Sequence, residues 1–323
     1  MMKKALVLVL LAAFVVPAFA DDAITLPQGV MRTRVIPSMT FVNAVFDDDG
    51  DREDTDDTLQ FYNLSAAIEY GITDWLTAGL QWTPGWQFYT DLGDSDAHLR
   101  GIHDLFVGAK MQIVGDRGLV PDPTIRFAVT PGIKIPLSQY DASDELENLL
   151  DGDDFRPGRV DRGAWGFGGR LALDYVFSPN FYLNLFNETV FYAPVDQDYF
   201  VGVVGVDPGT GAPIFGAAED VEVKYGPELT FELEAAYSMD LNGGVRLGLG
   251  LPLTYKFTGE TEIEGDGIDD ESWIFTVGPN VSVFFTQWAL PMEFEIGYSI
   301  PVAGESTAAA NTISLQIKNF LSF

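Results

Sequence analysis

The sequence predicts an all-β protein: a transmembrane antiparallel up-and-down β-barrel of about twelve strands. Three observations support this class. Apolar and polar residues alternate in many segments, short turns alternate with longer acidic loops, and aromatic residues flank the short turns. Each candidate strand exceeds the about nine to eleven residues that a tilted strand needs to cross a bilayer. Totals of about ten or about fourteen strands stay open as alternatives.

The alternation is clearest in the first hairpin of the chain. One face carries Tyr62, Leu64, Ala66, Ile68 and Tyr70, and the other carries Phe61, Asn63, Ser65, Ala67 and Glu69. A period of two is typical of a strand that has one apolar and one polar side. A soluble sandwich would alternate in the same way, so the faces alone leave both classes open.

The order of the connections favours the barrel. Candidate strands lie near 29–46, 57–70, 75–90, 98–114, 123–137, 163–177, 180–195, 221–237, 243–258, 272–287, 290–303 and 310–323. Short turns are predicted at 71–74, 115–122, 178–179, 238–242 and 288–289. Longer loops are predicted at 47–56, 91–97, 138–162, 196–220, 259–271 and 304–309. An even number of strands, with short periplasmic turns alternating with long extracellular loops, is typical of bacterial outer-membrane barrels.

Aromatic residues repeat beside the short turns. They are Tyr70 with Trp75, Tyr175 and Phe177 with Phe181, Tyr237, and Phe285 with Trp288. Aromatic rings are enriched where acyl chains meet headgroups. The repeat therefore predicts a girdle at the periplasmic edge of the membrane.

The two ends of the chain indicate export. Residues 1–20 are predicted to be a signal peptide, because Lys3 and Lys4 precede a short apolar run and Ala18-Phe19-Ala20 offers small residues for cleavage. Residues 21–323 are then expected to form a single barrel domain in the outer membrane.

The last strand resembles the C-terminal signal of bacterial outer-membrane proteins that their assembly machinery recognises. One face carries Ile313, Leu315, Ile317, Leu321 and the terminal Phe323, while Asn319 departs from the pattern. The resemblance implies outer-membrane lipid and the barrel assembly machinery as partners.

Composition excludes several function classes. The formal net charge of −30 argues against nucleic acid as a partner, and the absence of cysteine excludes disulfides and thiolate metal sites. The most acidic segment, Asp47 to Asp57, lacks the spacing of an EF-hand. We interpret it as a solvated loop, with loose binding of divalent cations as the alternative. No cofactor and no metal ligand set are predicted.

If the apolar faces meet lipid, the charged residues that alternate with them point into the lumen. The basic candidates are Arg32, Arg34, Lys110, Arg126, Lys134, Arg170, Arg246, Lys256 and Lys318. The acidic candidates are Glu69, Asp104, Asp174, Glu188, Glu228, Glu232, Glu234, Glu293 and Glu295. Such balanced charges either pair across a narrow lumen or line a polar passage.

A barrel of about twelve strands is too wide for its own side chains to fill, so a passage or a plug is expected. The preferred plug is 196–220, which is apolar where its neighbours are acidic, and a short helix near 143–150 is the second candidate. The alternative for both segments is an extracellular hairpin or lid.

The motifs "EYGITDWLTAGL" and "LPQGVMRTRVIPS", together with the overall length, resemble the outer-membrane transporters of phenol degradation (the MetA pathway) and of other aromatic degradation pathways. This family is related in role to the long-chain fatty acid transporters. Those transporters have an N-terminal hatch, whereas here only Asp21 to Gln28 precede the first strand, too little to form one.

We therefore expect a channel for passive uptake of small hydrophobic or aromatic compounds. The alternatives are a general diffusion porin, a structural or adhesin-like barrel and, less favoured, an outer-membrane hydrolase. A hydrolase would need an imidazole beside a serine. The only histidines, His98 and His103, point to opposite faces of a strand and lack such a serine, so no enzyme activity is predicted.

Overall fold

The computed structural model describes residues 22–323 except 93–94, 102–103, 138–161, 201–202, 207–212, 216–217 and 242. The proposed signal peptide and the segment 143–150 lie outside the described residues. Twenty strands are present in the described part of the chain, with no helix among them. Accordingly, no helix in the described ranges is long and apolar enough to cross a membrane.

The strands have the following bounds. They are β1 (Val30–Phe46), β2 (Arg52–Thr73), β3 (Leu76–Leu92), β4 (Ser95–Gly101), β5 (Leu105–Val114), β6 (Ile125–Ile135), β7 (Gly166–Ser178), β8 (Phe181–Tyr192), β9 (Val195–Phe200), β10 (Val203–Val206), β11 (Pro213–Phe215), β12 (Ala218–Lys224), β13 (Glu228–Leu241), β14 (Val245–Thr258), β15 (Glu262–Ile263), β16 (Asp266–Gly267), β17 (Ser272–Val277), β18 (Asn280–Phe285), β19 (Met292–Glu305) and β20 (Thr307–Ser322).

The wall is a closed antiparallel barrel, as the sequence predicts. Pairing runs from β1 through β2, β3, β5, β6, β7, β8, β13 and β14 to β19 and β20, and β20 returns to β1. The strands β17 and β18 share one position between β14 and β19, which gives twelve positions in all. Among the described residues, closure gives every wall position a partner on both sides, which the hydrocarbon core requires.

One wall strand is interrupted where the sequence predicts a continuous one. Gly278 and Pro279 separate β17 from β18. Proline has no N–H for the ladder, yet the pairing recovers, because Gly278 N donates to the Pro252 carbonyl at 2.9 Å and Tyr298 N donates to the Pro279 carbonyl at 3.0 Å. The interruption is therefore a local irregularity in an otherwise closed wall.

Some extracellular connections are shorter than predicted. β2 begins at Arg52, inside the acidic run, so only 47–51 form the turn, in which the Asp47 carboxylate accepts the Asp51 N–H at 2.8 Å. Ser306 alone joins β19 to β20. Above the membrane both faces of a strand meet water, so alternating hydrophobicity no longer marks its end.

The predicted faces of the strands are confirmed. Tyr62 and Leu64 of β2 are 42% and 43% exposed on the outer surface, whereas Phe61 and Asn63 are 1% and 4% exposed on the inner side. The same outward exposure of large apolar residues continues around the barrel through β7, β13, β14 and β19. The protein thus presents an apolar belt outward, as a bilayer-spanning barrel does.

The predicted aromatic girdle also forms. Phe177 contacts Tyr175 at 4.7 Å and Phe181 at 5.3 Å between ring centroids, and Phe285 stacks on Trp288 at 4.2 Å. These rings lie beside the short turns. They mark the periplasmic edge of the membrane-spanning belt.

The described strands of the segment 196–220, the predicted luminal plug, form hairpins, and residues 201–202, 207–212 and 216–217 lie outside the described part of the chain. Its strands β9 and β12 pair with each other as an outward continuation of the β8–β13 hairpin, and β15 and β16 extend this small sheet. The strands β10 and β11 pair only with each other. The described backbone therefore matches the alternative, an extracellular hairpin, since main-chain pairing outside the wall satisfies its polar groups.

Candidate functional site in the barrel lumen

The residues before the first strand occupy the lumen. Ala23 and Thr25 are fully buried, and Leu26 is nearly so. We call residues 22–28 the N-terminal plug. The sequence predicts that this segment is too short for a hatch, but a single extended stretch of chain is enough to cross the interior near its periplasmic end.

Two cations hold the backbone of the N-terminal plug. Lys110 Nζ donates to the carbonyl of Asp22 at 2.8 Å and to that of Ile24 at 3.4 Å. Arg117, in the periplasmic turn after β5, donates from Nη1 to the Thr25 carbonyl at 2.7 Å. Charged donors to carbonyls away from water are among the stronger hydrogen bonds, so the first half of the plug, residues 22–25, is fixed.

Polar groups of the wall bind the amides of the N-terminal plug. Ala23 N lies 3.3 Å from both carboxylate oxygens of Asp174, and Leu26 N donates to Thr77 Oγ1 at 2.9 Å. Ala23 also packs on Ala128 and Ala172, whose small side chains leave room for the chain. Asp174, predicted to line the lumen, therefore serves as an acceptor for the plug.

A wall glycine permits the close approach of the N-terminal plug. A Cβ at Gly71 would lie 2.1 Å from the Pro27 carbonyl oxygen and 2.8 Å from that of Leu26. No side chain other than hydrogen fits there. Gly71 stands two residues before the end of β2 and fixes where the plug leaves the lumen.

A small cavity lies next to the N-terminal plug, on its extracellular side. The register places it there, because the pair Gly79–Gly108 follows the pair Thr77–Lys110 outward along β3 and β5. The cavity has a volume of about 30 Å³. Its lining consists of Arg34, Glu69, Thr77, Gly79, Leu80, Gln81, Phe106, Gly108, Lys110, Thr130 and Arg170.

The charges around this cavity are unequal. The lining holds three cations, Arg34, Lys110 and Arg170, and one carboxylate, Glu69. Glu69 accepts a bidentate pair from Arg32 at 2.6 and 2.9 Å, and Arg34 Nη2 lies 3.4 Å from the same carboxylate. The single anion of the lining is therefore shared between two guanidinium groups. Lys110 lies 3.9 Å from the Asp22 carboxylate and Arg170 pairs with Glu188, so the surroundings of the cavity keep an excess of one positive charge.

An aromatic ring forms the outer side of the cavity. Phe106 is 7% exposed, and the Arg170 guanidinium lies over its ring at 4.0 Å from the centroid. Arg170 also pairs with Glu188 and donates to Gln81 at 3.2 Å. A Cβ at Gly132 would lie 2.3 Å from the Phe106 ring, so this glycine provides the space in which the ring lies.

The facing part of the wall carries mainly acids. Lys318 pairs with Glu293 at 3.4 Å and with Glu295 at 3.1 Å, and the buried Glu232 accepts from Thr254 Oγ1 at 2.9 Å. Cations thus concentrate on β1 to β7 and carboxylates on β13 to β19. Opposed charges of this kind produce a transverse field across the lumen.

A third cluster lies toward the extracellular end. Lys134 and Arg162 both pair with Glu228, at 2.8 and 2.9 Å. The Arg162 guanidinium also lies 5.0 Å from the ring centroid of Tyr192 and 4.9 Å from that of Tyr225. Arg162 was not predicted, because it belongs to a loop and its partners come from distant strands.

The remaining predicted lumen residues occupy different positions. Arg126 pairs with Asp116 of the periplasmic turn at 3.0 Å and lies 3.9 Å from Asp174. Arg246 is not deep in the lumen: it pairs with Asp240 at 2.7 Å at the exposed periplasmic end. Asp104, directly before β5, and Lys256 of β14 are both partly buried.

The hydrolase alternative depends on the two histidines of the chain. His103 and the side chain of His98 lie outside the described part of the chain. Among the described residues, no group of three or more His, Cys, Asp or Glu side chains could hold a metal ion.

A closed twelve-position barrel with an apolar outer belt and a charged, partly plugged interior defines the class of bacterial outer-membrane barrels. Residues 45–317 match the model of the family described as "Putative MetA-pathway of phenol degradation". The chain therefore belongs to this family. No curated protein matches the chain.

Among solved structures, the chain is similar to an outer membrane channel from Pseudomonas putida F1, with 17% identity, a TM-score of 0.67, and coverage of 94% of this chain and 100% of that one. A toluene transporter from Ralstonia pickettii gives 11% identity, a TM-score of 0.42 and coverage of 92% and 90%. A monoaromatic hydrocarbon channel, CymD, gives 9% identity, a TM-score of 0.41 and coverage of 92% and 89%. At 17% identity, the similarity to the Pseudomonas putida channel shows a shared fold only.

Proposed function

We propose that the protein is an outer-membrane channel for passive uptake of small hydrophobic or aromatic compounds. The observation that carries this proposal is the N-terminal plug, buried inside a closed barrel. A plug across the periplasmic end impedes the water-filled path that a general diffusion porin needs. It also creates a partly enclosed site where a small solute can rest.

The family supports the class of solute. Its description refers to phenol degradation, and an outer-membrane protein linked to such a pathway has the task of admitting the aromatic compound. The same reasoning favours a channel over an enzyme, because uptake precedes catabolism and requires no chemistry at the barrel. Export with cleavage of residues 1–20, and assembly guided by the strand that ends at Phe323, belong to the same proposal.

Uptake by intact cells tests the proposal. Cells that express the protein should take up radiolabelled toluene faster than cells that express Leu249→Arg. This substitution places a charge on the lipid face, where it costs about 2–4 kcal/mol near the midplane and hinders insertion. The substitution Leu249→Phe keeps that face apolar and should retain the uptake rate.

A liposome swelling assay distinguishes the proposed channel from the main alternative, a general diffusion porin. A general diffusion porin would admit arabinose and swell the liposomes, whereas the plugged barrel should not. Rapid arabinose swelling with no difference in toluene uptake between the wild type and Leu249→Arg would overturn the proposal in favour of a porin.

A further inference from the structure

We propose that the cavity above the N-terminal plug binds the carboxylate of a monoaromatic acid. This inference rests on the proposed function and specifies one class of its solutes. The site consists of Arg34, Lys110 and Arg170 as cations and Phe106 as the aromatic wall.

The charge balance selects an anion. With their pairing partners counted, four cations (Arg32, Arg34, Lys110 and Arg170) meet three carboxylates (Glu69, Glu188 and Asp22), an excess of one positive charge in a protein whose net charge is −30. Arg34 is 5% exposed, and its Nε atom is buried without a hydrogen-bond partner. A buried guanidinium N–H without an acceptor is costly, and a ligand oxygen would satisfy it.

The size of the cavity selects the head group. Its volume of about 30 Å³ is room for two water-sized groups. The two oxygens of a carboxylate fit that space, but an aromatic ring does not. The ring must therefore lie outward of the cavity, on the side where Phe106 stands.

Phe106 and Arg170 suit an aromatic ring at this position. Phe106 gives apolar contact to the ring of the bound acid. The Arg170 guanidinium, which lies over the Phe106 ring, can also interact with the ring of the acid by the cation–π attraction. Glu188 pairs with Arg170 and keeps its guanidinium in place. An acid without a ring would bind the cations alone and lose this contribution.

Lys110 connects the site to the N-terminal plug. Its ammonium group lines the cavity and donates to the Asp22 and Ile24 carbonyls. A carboxylate in the cavity would compete with these carbonyls for the same donor. Binding would therefore weaken one of the contacts that hold the plug in the lumen.

Titration calorimetry on the refolded full chain in detergent tests the site with three probes. Benzoate carries both ring and charge, formate carries the charge alone, and benzyl alcohol carries the ring alone. Benzoate should bind about tenfold or more tightly than either of the others, since it uses both halves of the site. Equal affinity for benzoate and benzyl alcohol would overturn the proposal.

Variants locate the binding. Arg34→Gln should lower benzoate affinity about tenfold and leave benzyl alcohol unchanged. The matched control is Arg52→Gln, whose side chain is about half-exposed beside Asp54, and it should bind benzoate like the wild type. An equal loss of benzoate affinity in both variants, or no loss in either variant, contradicts the assignment of the site.

A second variant keeps the test decisive if Arg34→Gln does not fold, as judged by migration of unheated samples in electrophoresis. Phe106→Leu keeps every charge and should weaken benzoate while leaving formate unchanged; no effect on benzoate would overturn the aromatic half of the site. Toluene uptake by cells reports the channel separately, because a neutral hydrocarbon does not need Arg34. A wild-type protein that does not bind benzoate, in cells that still take up toluene, would refute the site and leave the proposed function standing.

Discussion

At the scale of single residues, the buried carboxylate of Glu69 stabilises the lumen by pairing with two guanidinium groups. Its side chain is 9% exposed and holds Arg32 and Arg34. Glu69→Gln would leave two guanidinium groups close together without their anion. We expect a loss of about 3–5 kcal/mol in the free energy of unfolding, measured by urea titration in lipid vesicles.

The control for this prediction is a second carboxylate on the same protein. Glu262 pairs with Lys224 at 2.8 Å, but both side chains are substantially exposed. Exposed pairs contribute little, so Glu262→Gln should change the unfolding free energy by less than about 1 kcal/mol. Similar losses in the two variants would mean that the lumen around Glu69 is as well hydrated as the outer surface.

At the scale of elements, the N-terminal plug is an addition to the lumen rather than part of the wall. Its polar contacts go to side chains and turns, and none of its residues belongs to a wall strand. Deleting 22–28 should therefore increase single-channel conductance while the barrel still forms. Planar-bilayer recordings measure this increase, and Arg117→Gln, which removes one tether, should give an intermediate or fluctuating conductance. Unchanged conductance in the deletion would show that the plug does not limit the ion path.

The sequence predicts wall strands well because lipid on one side and a polar lumen on the other impose a period of two. The same argument finds Arg34, Glu69, Lys110 and Arg170, which alternate with lipid-facing residues. It cannot find the N-terminal plug. Residues 22–28 have no periodicity, and their burial depends on partners far along the chain, such as Asp174, 151 residues from Ala23.

At the scale of the whole molecule, the closed ladder makes the wall independent of its extracellular additions. The strands β10 and β11 pair only with each other, and the wall strands β8 and β13 pair directly. Removing the tip of this hairpin, residues 202–216, should leave every wall pairing in place.

The expected result for this deletion is heat-modifiable migration like that of the wild type. A barrel whose backbone hydrogen bonds are all closed in the wall resists detergent without heating, runs as a compact species, and unfolds on boiling. Conductance should also stay the same, because the described backbone of this hairpin lies outside the wall. An enlarged conductance would instead place the hairpin tip in the solute path, as the sequence predicted. Loss of the compact species would show that the wall needs the hairpin to close.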